Sequence, residues 1–434
     1  MNQGTGVVNR WKQWKQWTAV GLFTLSGLRA VPVSAQAGPS SLPETVTLDD
    51  VLRLLEQRSP RTAADRASIP VVAADRITAQ TLPNPTFSYG GVHLVSGLST
   101  GAVTQHQMVV EQPLLLFHQR QARLDAATGN VTAEEARVAE TLAGRRLAVR
   151  QTFASLLSRQ EQLRVVQESL TNLERVAQLV RARAAAGDRS QYEVLRIETE
   201  TESFRVQMMN AAADVEDVSG QLAALLGLPG WSPRASGVLD VGVVSTDVEV
   251  LWASAERRRP SLVALRQQEA AARGGLFLAR RERLPVPVVS GGAQRTQDVT
   301  GTSVFFGLSI PLTLFDHNQG AVAKATAQID AADLSIRAGL GEARAEIERA
   351  ATVLKKRREA LQSLEAAVMG RIPTLRRMAE DAYREGSADI LELLDANRSL
   401  RDFQLARVQQ LEAVRLAEET VVGAAGLDAA EPVQ

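Results

Sequence analysis

The sequence predicts a mainly α chain with a small β part, built as a duplicated unit of one β-hairpin plus a pair of long antiparallel coiled-coil helices. Three observations carry this reading. Aromatics are only 4% of the 434 residues while Ala, Leu, Arg, Glu and Gln dominate, which is the composition of long helices. Apolar residues recur every seven positions over tens of residues. The chain also repeats itself at a nearly constant spacing.

The first 37 residues stand apart from the fold. Arg10, Lys12 and Lys15 precede an apolar run from Thr18 to Leu28, and Ala35-Gln36-Ala37 offers a small-x-small cleavage site, with Val33-Ser34-Ala35 close by. This pattern predicts an export signal, because eleven apolar residues are too few to span a bilayer, which needs about 20. Removing it leaves 45 basic against 49 acidic residues, a net charge of −4. Such a balance excludes the basic footprint of a nucleic-acid binder. With no cysteine there is no disulfide, thiolate metal site or N-terminal lipid anchor. No later stretch reads as a transmembrane helix, so entry into a membrane would require β-strands.

The repeat is read from four anchors. Glu56-x-Arg58-x-Pro60 returns as Glu256-x-Arg258-x-Pro260, and Leu82-Pro83-Asn84-Pro85 returns as Leu284-Pro285-Val286-Pro287. Pro113 to Phe117 returns as Pro311 to Phe315, and Gly187 with Leu195 and Phe204 returns as Gly386 with Leu394 and Phe403. The repeats are therefore residues 45–230 and 245–425, joined by a linker 231–244 that follows the turn-forming Pro229-Gly230, with a tail at 426–434.

Within each repeat the order of elements is the same. Residues 86–95 and 102–112 flank a turn-rich stretch, as do 288–295 and 302–312, and each pair predicts a hairpin. Val304, Phe306, Leu308 and Ile310 alternate with Ser303, Phe305, Gly307 and Ser309, giving one apolar and one mostly small or polar face. Strands of this kind match a transmembrane barrel, but four cannot close one, since the smallest have about eight. Phe87, Tyr89, Phe117, Phe305, Phe306 and Phe315 lie in or beside the hairpins, as an interfacial aromatic belt would. Leu142, Val149, Leu156, Leu163, Leu170 and Ala177 then form a heptad seam, matched by Leu340, Ile347, Leu354, Leu361, Val368 and Leu375. Gly370 and Pro373 predict a break in the second long helix. Gly187 and Gly386 mark reversals, where the left-handed conformation ends a helix.

Two hairpins alternating with very long helix pairs resemble the TolC family of outer-membrane efflux channels. Leu82-Pro83-Asn84-Pro85, Gln112-Pro113 to Phe117, Gly187-x-x-Ser190 with Leu195, and Leu222-x-x-Leu225-Leu226-Gly227 look most like its heavy-metal (cobalt-zinc-cadmium) branch. The resemblance implies a homotrimer in the outer membrane of a Gram-negative bacterium. Three chains would form a 12-stranded barrel, continued by a 12-helix tunnel through the periplasm. It also implies passive conduction from an inner-membrane pump, of the RND type, through a periplasmic adaptor to the exterior, with metal cations or small molecules as cargo. The tip turns Gly187-Asp188-Arg189-Ser190 and Gly386-Ser387-Ala388-Asp389 match the places where adaptors dock. Glu193, Glu392, Asp395 and Tyr383 match positions near the family's closed aperture, though as sequence they read equally as solvated helix surface. The family's arginine two residues after the second glycine is Ala388 here, so a latch at that point would be built differently.

Other chemistry finds little support. His93, His106, His118 and His317 form no helical i, i+4 pair, Met208-Met209 is adjacent rather than helically spaced, and no nucleophile motif anchors a triad. Neither Gly90-Gly91 nor Gly291-Gly292 is a phosphate loop. No enzyme, cofactor or metal site is expected. The rival readings are a soluble periplasmic coiled-coil scaffold or adaptor, and a type I protein-secretion channel of the same architecture.

Overall fold

The computed structural model describes residues 42–97, 104–187, 190–297, 301–368 and 371–427. The expected signal segment 1–37, Asp188 and Arg189, and most of the tail lie outside them. In chain order the elements are β1 (Thr45–Val46), α1 (Leu48–Gln57), α2 (Pro60–Arg66), α3 (Ser68–Gln80), β2 (Thr86–His93), β3 (Thr104–Pro113), α4 (Gln119–Ala185) and α5 (Gln191–Leu226). There follow β4 (Arg234–Ala235), α6 (Val248–Arg258), α7 (Pro260–Arg281), β5 (Val288–Gln297), β6 (Thr302–Ser309), α8 (Gln319–Val368), α9 (Ile372–Glu385) and α10 (Ile390–Ala424).

Helix α4 runs for 67 residues, about 100 Å at 1.5 Å per residue. Its heptad seam is the buried side: Val149, Leu156, Leu170 and Ala177 are buried, joined by Val166, Leu173 and Val180. The helix starts where the strand ends because of a device repeated 200 residues later. His118 and Asn318 both take left-handed backbone, with φ of 62° and 61°. The next residue in each case is Gln, whose Oε1 accepts the N–H of Phe117 (2.9 Å) or His317 (3.0 Å). One left-handed residue and one side-chain acceptor thus turn the chain into the helix in both halves. His118 and His317 lie close to equivalent strand ends, and the residue equivalent to His118 in backbone conformation is Asn318.

The second long helix is interrupted where expected, α8 ending at Val368 and α9 beginning at Ile372 with Pro373 in its first turn. The break overturns one expectation. The seam predicted to continue through Leu375 does not, for Leu375 is 57% exposed while Tyr383 is fully buried. Restarting the helix resets its phase, and a heptad counted through the break ends on the wrong face. Strand β6 also stops at Ser309, short of the predicted 312, because Ser309 pairs with Val288, the first residue of β5, and Ile310 would face Pro287, which has no N–H for a ladder.

Strands β2, β3, β5 and β6 form one antiparallel sheet in that order, so the two hairpins lie side by side and β2 and β6 are open edges. Beyond the sheet, α3 packs on α4, α4 on α7, and α7 on α8. Small residues let α4 and α7 approach: the Cα of Ala271 lies 3.5 Å from where a Cβ would stand on Gly129, and the Cα of Ala126 lies 3.6 Å from the same point on Gly274.

Two hydrophobic clusters hold the longer helices. One joins α6, α8 and α10 through Leu251, Ile347, Leu354, Val414 and Val421, with Trp252 and linker residues Leu239, Val241 and Val244 packed on it. The other joins the ends of α4, α5, α9 and α10 through Leu173, Val180, Ile197, Phe204, Tyr383, Ile390 and Leu394.

Candidate functional site

The far ends of the helix pairs bring the predicted tip residues together. Gly187 and Gly386 both adopt φ of 81°, the left-handed turn that ends α4 and α9. Ser190 then caps α5 by accepting the N–H of Glu193 (3.4 Å), and Asp389 caps α10 by accepting those of Leu391 (2.8 Å) and Glu392 (3.0 Å). Ser387 closes its own turn, its hydroxyl donating to the Ala382 carbonyl at 3.1 Å. The capping is local and explains why these residue types stand there.

The contact between the two turns is not local. The Tyr383 hydroxyl donates to Glu193 Oε2 at 3.0 Å, across 190 residues of sequence and between different repeats. Arg183 of α4 reaches the end of α9, donating to the carbonyls of Tyr383 (3.3 Å) and Arg384 (2.8 Å), a cation set at a helix C-terminus. Deeper in, Arg398 of α10 grips Glu200 of α5, with Nε 2.7 Å from Oε1 and Nη2 on Oε2. These hydrogen bonds, with the charges of Glu200, Asp395 and Asp402 added, hold the Arg398 guanidinium above its ordinary pKa. Arg401 lies over the Phe204 ring at 4.4 Å. Of the predicted aperture residues, Glu193 and Tyr383 therefore meet, whereas Glu392 and Asp395 are exposed on α10 and form no ion pair among the described residues.

At the other end the sheet has two chemically distinct faces. Because side chains alternate, the register puts Phe87, Val110, Gly291 and Phe306 in one row of one face, followed by a row of Tyr89, Met108, Ala293 and Val304. The opposite face carries Ser88, Gln105, Gln107, Glu111, Ser290, Gln294, Ser303 and Ser309. Phe305 also lies on this polar face, over Gly292, where any Cβ would collide with its ring and with the Met108 carbonyl. Along the chain Val304, Phe306, Leu308, Ile310, Leu312 and Leu314 are all exposed, Phe306 by 87%. Six alternate apolar side chains in water would be a severe liability in a soluble protein. Among the described residues no helix is long and apolar enough to cross a membrane.

Between sheet and tip, a groove of about 1270 Å³ is lined by residues of α3, α4, α7 and α8. All four helices contribute, so it is the concave side of the wall they form. It carries Asp75, Glu140 and Glu342, together with Glu134, whose carboxyl the Arg137 hydrogen bonds, and then Ser68, pull down to about 2.

A long four-helix wall ending in an open, two-faced sheet is the architecture of outer-membrane channels. The chain belongs to the outer membrane efflux protein family, whose model matches residues 51–228 and again 251–427, once on each repeat. It is similar to the cobalt-zinc-cadmium resistance protein CzcC of Cupriavidus metallidurans, at 28% identity over 89% of this chain and 90% of the relative. It is also similar to the pyoverdine export outer membrane protein OpmQ of Pseudomonas putida, at 29% identity over 61% of this chain and 59% of that one. Its fold matches the Campylobacter jejuni CmeC outer membrane channel with a TM-score of 0.70 at 15% identity, over 87% of this chain and 85% of the other.

Sequence reasoning missed the repeated left-handed residue plus Gln at the strand-to-helix junctions. The signal was present as Gln119 and Gln319, 200 residues apart.

Proposed function

We propose that three copies of this chain close a 12-stranded barrel in the outer membrane and continue it as a 12-helix periplasmic tunnel. The tunnel passively conducts small cargo from an RND-type inner-membrane pump and its periplasmic adaptor to the exterior. The observation that carries this is the sheet: one face is apolar and exposed, the other mostly polar, and both edge strands are unpaired among the described residues. Open edges and an apolar face are both satisfied when lipid covers the face and copies pair edge to edge. Three copies supply the strand number that one cannot.

In this reading residues 1–37 direct export, 45–230 and 245–425 are the two repeats, and 231–244 links them. The turns Gly187 to Ser190 and Gly386 to Asp389 receive the adaptor, with Gly187, Asp188, Ser190, Gly386, Ser387 and Asp389 as its contacts. Tyr383 bonded to Glu193 latches the two turns of one copy, while Glu392 and Asp395 ring the aperture and draw cations. Opening then means parting the Tyr383 hydroxyl from Glu193 as the helix ends move outward. The polar residues of the concave groove face the moving cargo. The names of the relatives support small cargo, metal ions for CzcC and a small organic molecule for OpmQ.

Planar-bilayer recording of purified protein tests the conduit. Discrete conductance whose cation preference weakens in Glu193→Ala, Glu392→Ala and Asp395→Ala variants is the expected result, and unchanged preference removes these residues from the aperture. Charge reversal at Asp188 and Asp389 is expected to abolish crosslinking to the adaptor; retained crosslinking removes the docking assignment.

A further inference from the structure

On the lipid-facing side of the sheet the apolar rows stop at one level. Above Tyr89, Met108, Ala293 and Val304 the next row reads Gly91, His106, Arg295 and Thr302, and the one after it His93 and Thr104. Within β6 the apolar positions on this face are Val304, Phe306 and Leu308, and Ile310, Leu312 and Leu314 continue the alternation along the chain towards the helices. The basic row begins where the apolar rows end. It lies at the end of the sheet away from the helices, so on the channel reading it meets the outer leaflet.

The row is held by side-chain contacts across the strands. The Tyr89 hydroxyl lies 2.7 Å from His106 Nδ1 with the two rings stacked, and Thr104 Oγ1 lies 2.8 Å from His93 Nδ1. Each contact engages Nδ1 and leaves the ring's Nε2 on the side away from its partner. Arg295 is exposed and has no ion pair among the described residues. The one acid in the four strands, Glu111, is on the opposite face and at the helix end. A cationic fork beside two imidazoles, just past the apolar rows and with no acidic partner among the described residues, fits phosphate oxygens.

We propose that Arg295, His106 and His93 form a shelf for the phosphate groups of the phosphorylated glycolipid of the outer leaflet, one shelf per copy. This rests on the channel reading, and its test separates the two. Detergent-purified, delipidated protein is titrated with diphosphoryl lipid A, with the same lipid stripped of phosphate, and with phosphatidylglycerol, and retention is read by native mass spectrometry. Expected are up to three retained lipid A molecules per trimer, and at least tenfold weaker retention for Arg295→Gln combined with His106→Gln. The phosphate-free lipid should bind the unaltered protein no better than lipid A binds the variant. Equal lipid A retention by the variant, or retention of phosphatidylglycerol as strong as that of lipid A, overturns the shelf. The variant's conductance in planar bilayers shows that it folds and inserts. A conducting variant with undiminished lipid A retention refutes the shelf alone, whereas unaltered protein that neither inserts nor conducts refutes shelf and channel together.

Discussion

The two repeats hold the same linker by different chemistry. Where the linker leaves the first repeat, Gln160 of α4 bonds both backbone groups of Ala235, with its amide nitrogen 3.1 Å from the carbonyl and its oxygen 2.8 Å from the N–H. Ser219 of α5 adds a bond to the Pro233 carbonyl at 2.9 Å. Where the linker enters the second repeat, the equivalent positions are Arg358 of α8 and Glu418 of α10, 198 and 199 residues on. Arg358 donates to the carbonyls of Gly242 (2.8 Å) and Val244 (2.9 Å) and to Glu418 (2.7 Å), whose other oxygen accepts the Gly242 N–H at 2.9 Å. One clamp is neutral; the other is an ion pair in which the carboxylate is 1% exposed. Neutral hydrogen bonds contribute little each but release easily, while a buried charge that loses its partner is strongly unfavourable. The asymmetry makes the first clamp the easier one to open. At the tip the same inequality recurs: Glu193 has Tyr383, whereas the position equivalent to Tyr383 opposite Glu392 is Ala184.

The largest effect is expected at the charged clamp. Arg358→Met strands a buried carboxylate and should lower stability by about 3 kcal/mol, the low end of such losses because Arg415 remains 3.5 Å from Glu418. Thermal unfolding followed by helical circular dichroism measures it. Converting the pair to its first-repeat counterpart, Arg358→Gln with Glu418→Ser, should recover most of that loss; a double variant as unstable as the single one breaks the comparison. Gln160→Ala, which leaves the two backbone groups of Ala235 without their partner, should cost about 1–2 kcal/mol. Tyr383→Phe removes one hydrogen bond, worth about 1 kcal/mol or less, yet should raise resting conductance severalfold, while Glu392→Gln should not. Smallest is a pH effect in the upper helices, where the asymmetry reverses. Glu134 and Arg137 are charged, but their second-repeat equivalents are Ala332 and Ser335. A carboxylate held at about 2 stabilises the fold fully above its unfolded pKa near 4.5, and this contribution fades as pH falls toward 2. The melting-temperature gap between native protein and Arg137→Gln should therefore narrow from pH 7 to pH 3.

Much of this was legible in the chain. Heptads, hairpins, the break near Pro373 and the tip caps are local signals, each set by residues within a few positions of one another. The repeat extends them across the molecule, since what holds at Gly187 holds at Gly386. What was hidden was pairing between repeats. Sequence singled out both Glu193 and Tyr383, but nothing in either says that they touch, because their meeting depends on how the helix pairs cross. The clamps were hidden for the same reason: Gln160 and Ala235 are 75 residues apart, and the two-residue strands β1 and β4 that set the linker's path have no periodicity to read. Leu375 shows the converse, a correct local pattern carried across a break that resets it.

Imaging of detergent-extracted protein by cryo-electron microscopy tests the central claim most directly. A threefold particle with one 12-stranded barrel, edge strands β2 and β6 paired between copies, and Tyr383 on Glu193 within each copy is the result this account predicts. Slender monomers or dimers that stay soluble without detergent, with the apolar face of β6 covered from within, would contradict it.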